Sequence, residues 1–187
     1  MKITLLGDSI RLIGYGPLVP GLLGKDFEVF QPEDNCRFAK YTLRGLFDWA
    51  GDMAGSRVVH WNNGLWDVCD ILGDGKAFTS LSEYTENMLR IADILLARHD
   101  RVIFATTTPV TAQNPHNKNG VIAAYNAHVT PLLREKGVII NDLYTPMAAD
   151  IDSFIRKDDN IHLTEEGSAV CAGLVAEAIR KAAEELA

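Results

Sequence analysis

The segment KITLLGDS occupies residues 2–9 and joins a short apolar run to a polar Gly-Asp-Ser turn. Four similar runs follow, so that the chain has five in all: Ile3 to Leu6, Phe27 to Phe30, Val58 to Trp61, Val102 to Ala105 and Val138 to Ile140. The runs are almost continuously apolar rather than alternating, which is typical of strands that helices cover on both faces. They therefore predict a parallel sheet of five strands.

Helical patterns lie between several of these runs and after the last one. Apolar residues recur at helical spacing over residues 81–95 and again over 171–182, where Thr164 is placed to cap the helix. A third pattern covers about residues 120–136 but contains Pro131, which predicts a kink or an early end. The alternation of strands and helices predicts a three-layer α/β sandwich.

The composition suits one ordinary domain. The chain has 187 residues, 47% of them apolar, and no repeat or low-complexity linker divides it. We therefore expect a single domain over residues 1–187. The N-terminal apolar stretch is too short for a signal peptide or a membrane span.

The charge balance limits the kinds of partner that the protein is expected to bind. The chain has 18 Lys and Arg against 25 Asp and Glu, a net charge of −7, which argues against binding to nucleic acid or to an anionic membrane. Cys36, Cys69 and Cys171 are widely spaced and form no CxxC pair, so they indicate a reducing compartment without a zinc site. We expect a cytoplasmic protein that needs no cofactor or metal, and the oligomeric state is left open.

Polar residues stand where the predicted strands end, and in open parallel sheets ligands bind at this edge. The polar groups are Gly7-Asp8-Ser9, Asn62-Asn63-Gly64, Thr106 to Pro109, Asn141-Asp142 and, before the last helix, Asp158 to His162. A Ser, an Asp and a His that meet at such an edge can serve as nucleophile, orienting carboxylate and general base.

The spacing Asp159-x-x-His162 suits such a pair, because three residues make about one turn of tight helix. Asp159 would hold one ring nitrogen protonated and leave the other to take the proton of Ser9. The oxyanion that forms needs hydrogen-bond donors placed in advance. The backbone amide of Ser9 is one candidate, and the side-chain amide of Asn62 or Asn63 is another.

Three segments carry a family resemblance. KITLLGDSI at 2–10, DNIHLTEEG at 159–167 and AYNAHVTPLLREKGVIINDLY at 124–144 resemble the SGNH (GDSL-type) hydrolases, a family of esterases and lipases. The resemblance implies a flavodoxin-like sandwich with Ser9 as nucleophile, His162 as base and Asp159 as the partner of the base.

Two blocks depart from the family pattern. The second block normally supplies a glycine amide to the oxyanion, whereas residues 35–40 contain no glycine. A backbone amide of Ala39 or Lys40 could serve in its place. The third block is normally GxND, but Gly64-Leu65-Trp66-Asp67 has tryptophan in place of asparagine. We therefore expect Asn62 as the side-chain donor, with Asn63 second.

The pattern NxGLxD resembles a variant found near carbohydrate acetylesterases, which implies a short acyl or acetyl group on a sugar. Asp8, Arg37 and Trp66 are the candidate substrate-binding residues. Asp8 and Arg37 also have simpler interpretations, as a structural acceptor for loop amides and as a surface arginine. Trp66 could form an apolar or sugar-stacking wall with Trp61, which is equally expected in the core.

Other residues have competing interpretations. Ser9 is also a plausible helix N-cap, and Asp158, Asp159 and His162 form a less favoured metal site without a fourth ligand. His60 falls within a predicted strand and is expected to be a satisfied core histidine. The remaining histidines are expected at the surface: His99, His116 and His128.

Two functions follow. The first is a serine esterase that acts on a small-molecule ester through an acyl-enzyme on Ser9. The second is a non-catalytic binding module in which Ser9 and Thr106 to Thr108 hold a sugar or phosphate. A phosphodiester or phospholipid substrate is disfavoured because no basic cluster is present to hold the phosphate. The Asp159/His162 pair separates the two functions, since a binding module needs no oriented base.

Overall fold

A five-stranded parallel sheet forms the centre of the protein, in a computed structural model that describes residues 1–186. The strands are β1 (Lys2–Leu6), β2 (Glu28–Phe30), β3 (Val58–Trp61), β4 (Arg101–Ala105) and β5 (Ile139–Asn141), in the order β2-β1-β3-β4-β5. Leu6 pairs with Trp61 and Trp61 with Phe104, so the carboxyl ends of the three central strands lie level at one edge. The predicted sheet is confirmed.

Helices cover both faces of the sheet. They are a π-helix (Ile10–Tyr15), α1 (Val19–Leu23), α2 (Ala39–Asp48), α3 (Ala50–Met53), α4 (Leu81–Leu96), α5 (Asn119–Glu135), α6 (Tyr144–Ala149), α7 (Ile151–Phe154) and α8 (Glu165–Glu184). The π-helix and α1 pack with α8, whereas α2 and α5 pack with α4. These two groups are the outer layers of the predicted α/β/α sandwich.

The core confirms both predicted helical stripes. In α4 the buried side chains include Tyr84, Met88 and Ile91, and in α8 they include Val175 and Ile179. The side chain of Thr164 accepts a hydrogen bond from the amide of Gly167 at 3.0 Å, which is the expected cap of α8.

The early end expected at Pro131 is wrong, because α5 runs through it to Glu135. The proline removes the amide that would bond to the carbonyl of Ala127, but both residues are exposed, so water can satisfy that carbonyl. Buried Ile122 on one side and buried Val129 and Leu133 around the proline hold both parts of the helix against the core.

The helices of residues 1–186 include none whose length and apolar character together would suit a bilayer crossing.

Candidate active site

The turn after β1, residues 7–9, is named here the β1 turn. Its carbonyl at Asp8 accepts bonds from the amides of Arg11 and Leu12, and the Asp8 carboxylate accepts the amide of Ile10 at 2.9 Å. Ser9 is half-buried at the N-cap position of the π-helix, but its side chain makes no capping bond. Its amide donates to no acceptor within residues 1–186. Within residues 1–186, the hydroxyl and the amide of Ser9 are therefore both without a hydrogen-bond partner at the edge of the sheet.

Asp8 belongs to a buried hydrogen-bond network. Its Oδ1 accepts Nδ2 of Asn62 at 2.9 Å, and the hydroxyl of Tyr15 donates to Oδ1 of Asn62 at 2.7 Å. Asp8 and Tyr15 are completely buried, and burial raises the pKa of Asp8 although the hydrogen bond from Asn62 opposes the rise. This burial favours the structural interpretation of Asp8 over a contact with substrate.

Arg11 is a completely buried cation that sequence analysis missed. Its guanidinium donates to the carbonyls of Pro32 at 2.8 Å, Asp34 at 2.7 Å and Gly7 at 3.2 Å. It thereby joins the β1 turn to the segment after β2. The available signal was an arginine inside the apolar run IRLIGY, where a surface helix would present it to water.

The second component is the turn over residues 156–162, named here the His162 turn. Nδ1 of His162 lies 3.0 Å from Oδ2 of Asp159, whose Oδ1 accepts the amides of Ile161 and His162 at 3.0 Å each. Partial burial raises the pKa of Asp159, but these hydrogen bonds outweigh it and bring the pKa to about 2. An ionised Asp159 can only accept, so it holds Nδ1 protonated and leaves Nε2 of His162 free.

The fold brings the two turns together from opposite ends of the chain. A Cβ added to Gly14 in the π-helix would lie 3.2 Å from Cδ1 of Leu163, the residue after His162. Within residues 1–186 no hydrogen bond joins the Ser9 hydroxyl to His162. Catalytic hydrogen bonds commonly tighten only when substrate binds.

The two asparagines expected as oxyanion donors are engaged in holding loops. Asn62 is only 4% exposed and lies between Asp8 and Tyr15. Asn63 is completely buried and donates to the carbonyl of Arg37 at 2.9 Å. Each Nδ2 thus gives one of its two hydrogens to a loop contact, and the expected role of Asn62 and Asn63 as oxyanion donors stays a prediction.

The backbone amide at the start of α2 is also already hydrogen-bonded. The amide of Ala39 donates to both carboxylate oxygens of Asp67 at 3.1 Å, so it is not open to a substrate oxyanion. Burial raises the pKa of Asp67 to about 7, although the amide of Ala39 and the side chain of Thr79 oppose the rise. Asp67, the last residue of the variant third block, therefore anchors the helix that follows the second block.

The other two candidate substrate-binding residues lie at the surface. Arg37 is exposed with a left-handed backbone (φ 47°), and its guanidinium carbon lies 4.9 Å from the centre of the Tyr41 ring. Trp66 is 39% exposed between the buried Leu65 and Asp67, just beyond β3. Both side chains are accessible to a ligand at the edge of the sheet.

The remaining histidines mostly follow expectation. His60 is completely buried in β3, and burial lowers its pKa to about 3, which keeps it neutral. Its Nε2 lies 3.2 Å from Nδ2 of Asn141, but Nδ1 has no partner within residues 1–186, so it is not the fully satisfied histidine expected. His116 and His128 are exposed as predicted, whereas His99 is half-buried.

The charges around the His162 turn do not form a cation site. Asp158 is exposed and pairs with Arg156, while Asp159 is bonded to His162. In the part of the chain that the structure describes, no three His, Cys, Asp or Glu side chains cluster as metal ligands.

Comparison with known proteins supports the class of fold. No protein-family model and no curated protein matches the chain. Among solved structures, the acetyl xylan esterase AlAXEase superposes with a TM-score of 0.80 at 18% identity, over 96% of this chain and 100% of that one. A lipase/acylhydrolase from Enterococcus faecalis gives 0.76 at 20% identity, over 96% and 95%. Axe2, an acetylxylan esterase from Geobacillus stearothermophilus, gives 0.76 at 16%, over 94% and 92%.

These similarities extend over nearly the whole length of each chain. The protein therefore has the SGNH hydrolase-like α/β fold that the sequence resemblance implied. Because one fold hosts many activities, its function is argued from the site.

Proposed function

We propose that this protein is a serine esterase that hydrolyses a carboxylic ester through an acyl-enzyme on Ser9. The observation that carries the proposal is the hydrogen bond of 3.0 Å between Asp159 and His162, with the ionised carboxylate fixing the tautomer of the ring. A protein that only binds a ligand has no need of a base oriented in this way.

The reaction has two halves. Nε2 of His162 takes the proton of Ser9 as the hydroxyl oxygen attacks the acyl carbonyl, and the resulting imidazolium protonates the departing alcohol. The acyl group is then bonded to Ser9. His162 next removes a proton from water, which attacks the acyl-enzyme, and the proton returns to Ser9 as the acid leaves.

Asp159 stabilises the imidazolium in both halves through the Nδ1 bond. The negative oxygen of each tetrahedral intermediate needs a donor, and the Ser9 amide is the best supported one because it has no acceptor within residues 1–186. Asn62 is the proposed side-chain donor and Asn63 the second, because each Nδ2 has one hydrogen beyond the bond it makes to Asp8 or Arg37.

The proposed substrate is a short acyl or acetyl group on a sugar. Two of the three structural relatives described above are acetyl xylan esterases by name. The exposed ring of Trp66 suits packing against the apolar face of a sugar, and the exposed guanidinium of Arg37 offers donors for its hydroxyl oxygens.

The alternative of a non-catalytic binding module has little support. Its main binding group was the run Thr106 to Thr108, and all three side chains are buried. The hydroxyl of Thr106 accepts the amides of Leu143 and Tyr144 at 2.9 Å, and that of Thr107 donates to the carbonyl of Asn63. The hydroxyls of Thr106 and Thr107 thus tie loops together and are not open to a phosphate or sugar, and the hydroxyl of Thr108 is buried without a partner within residues 1–186.

The test is hydrolysis of p-nitrophenyl esters from acetyl to long acyl chains, followed by acetylated xylo-oligosaccharides, with wild type and Ser9→Ala. We expect activity greatest on acetyl esters, and a loss of at least about 1,000-fold in kcat for Ser9→Ala. Ser82→Ala, at an exposed serine of α4, is the matched control and should keep wild-type rates. Hydrolysis that survives unchanged in Ser9→Ala would remove Ser9 from the mechanism.

A further inference from the structure

The loop over residues 111–117, named here the Thr111 loop, packs its polar groups against the His162 turn. Its side chains Thr111 and Asn114 are 5% and 4% exposed, and no part of the esterase mechanism above uses them. Buried polar side chains are expected to be fully bonded. The hydrogen-bond partners of Thr111 and Asn114 therefore indicate which segment the Thr111 loop stabilises.

Both residues bond to Asn160, which stands between Asp159 and His162. The hydroxyl of Thr111 donates to Oδ1 of Asn160 at 2.7 Å, and its amide donates to the Asn160 carbonyl at 3.2 Å. Nδ2 of Asn114 donates to the same carbonyl at 3.2 Å. Three hydrogen bonds thus converge on Asn160, one of the two residues that lie between Asp159 and His162.

Asn160 has a left-handed backbone conformation, with a φ of 64°. Residues other than glycine seldom adopt this conformation, and asparagine is one of those that do. The conformation sets the direction of the chain between the carboxylate of Asp159 and the ring of His162. Bonds that fix Asn160 therefore fix the geometry of the pair.

The Thr111 loop is itself anchored on the other side. Oδ1 of Asn114 accepts the amides of Asn117 at 2.7 Å and His116 at 3.0 Å. Nδ2 of Asn117 donates to the carbonyl of Leu65 at 2.7 Å, in the turn after β3. A continuous chain of hydrogen bonds thus runs from the turn after β3 to the His162 turn.

We infer that Thr111 and Asn114 are positioning residues that act through Asn160 to hold Asp159 and His162 in their bonded geometry. The consequence for catalysis rests on the proposed esterase function. The Asp159–His162 geometry itself can be measured without any substrate, so the two proposals can fail separately.

The test compares Thr111→Val, which removes the hydroxyl at nearly constant shape, with Thr111→Ser, which keeps it. The first measurement is the downfield proton resonance of His162 Nδ1, assigned by its absence in Asp159→Asn. We expect this resonance in wild type and Thr111→Ser, and its broadening or loss in Thr111→Val. The second is kcat and KM on p-nitrophenyl acetate.

Thr111→Val is expected to lower kcat by about 10- to 100-fold, because small displacements of a catalytic group have effects of this size. KM should stay within about twofold, since His162 serves both the acylation and the deacylation step. Thr111→Ser should recover most of the rate. A general loss of folding would not be expected to give this split between kcat and KM.

Asn160→Gly provides a second variant if Thr111→Val does not fold. Glycine adopts a φ of 64° readily, so this change removes the side-chain bond without adding backbone strain. It should reproduce the effect of Thr111→Val, and the double variant should be no slower than the slower single one, because both remove the same bond.

The outcomes separate the two proposals. Loss of the resonance in Thr111→Val would support the positioning role even if wild type hydrolyses no ester, in which case only the esterase function fails. A Thr111→Val protein that keeps the resonance and a kcat within twofold of wild type would overturn the positioning role. The esterase function would then still stand on the result for Ser9→Ala.

Discussion

The β1 turn and the His162 turn carry the two halves of the proposed site but are built differently. Around the β1 turn, Asp8, Arg11 and Tyr15 are completely buried and bonded to one another's elements. The His162 turn lies at the surface, with Asp159 and His162 half-buried and held by hydrogen bonds to local amides and to the Thr111 loop.

The difference has a consequence for mutagenesis. A change near Ser9 removes part of the core as well as part of the site, so its effects on activity and folding are coupled. A change in the His162 turn removes chemistry while the core remains intact. We therefore expect substitutions in the His162 turn to lower activity more than stability, and substitutions around the β1 turn to lower stability more than activity.

The largest effect is expected from Asp159→Asn. Asparagine can donate to Nδ1 and so favours the wrong tautomer, leaving Nε2 protonated and unable to take the proton of Ser9. We expect kcat on p-nitrophenyl acetate to fall by about 10,000-fold. Urea unfolding should show a change of roughly 1 kcal/mol or less in the free energy of unfolding, the size of a lost hydrogen bond near the surface.

Asp158→Asn is the matched control, because Asp158 is exposed and contacts Arg156 rather than the ring. It should keep nearly the wild-type kcat. If Asp159→Asn instead retained most of its activity, the orienting role of the carboxylate would be wrong.

Arg11→Met should lower the stability of the protein more than its activity. It leaves the carbonyls of Pro32 and Asp34 without their donor and removes the positive charge that opposes the raised pKa of Asp8. Leaving a buried acceptor without its donor typically costs about 1 to 3 kcal/mol, and Arg11 is the donor to three carbonyls. We expect urea unfolding to detect a loss of this size, with the activity of the remaining folded protein reduced far less than in Asp159→Asn.

Arg90→Met, at an exposed position of α4, is the control and should change the free energy of unfolding by about 0.5 kcal/mol or less. Equal stability of the Arg11→Met and Arg90→Met proteins would contradict the buried network as a source of stability.

The same contrast explains which parts were predictable from the sequence. The strands were predictable because their apolar runs are continuous. The pairing of Asp159 with His162 was predictable because it depends on a local spacing of three residues. The partners of Asn62 were not, since Asp8 and Tyr15 reach it from a distant part of the chain. Pro131 misled because the burial of α5 outweighs a local preference.

The smallest effect concerns how the carboxyl groups of the two regions titrate. Asp67 has a pKa of about 7, because burial raises it and the negative charge of Asp8 raises it further. Asp159 has a pKa of about 2. Between pH 5 and pH 7 the folded protein holds a proton on Asp67 that the unfolded chain has already lost. Stability contributed by this group therefore falls as the pH rises, by about 2 kcal/mol over that interval.

His60 has the opposite sign over the same interval, because its lowered pKa makes the unfolded chain bind the extra proton. The measurement is therefore a difference: urea unfolding of wild type and Asp67→Asn at pH 5, 6 and 7, in which the contribution of His60 cancels. Asparagine keeps an acceptor for the amide of Ala39 and does not titrate. We expect Asp67→Asn to gain about 2 kcal/mol relative to wild type from pH 5 to pH 7, and a constant difference would mean that Asp67 is ionised throughout.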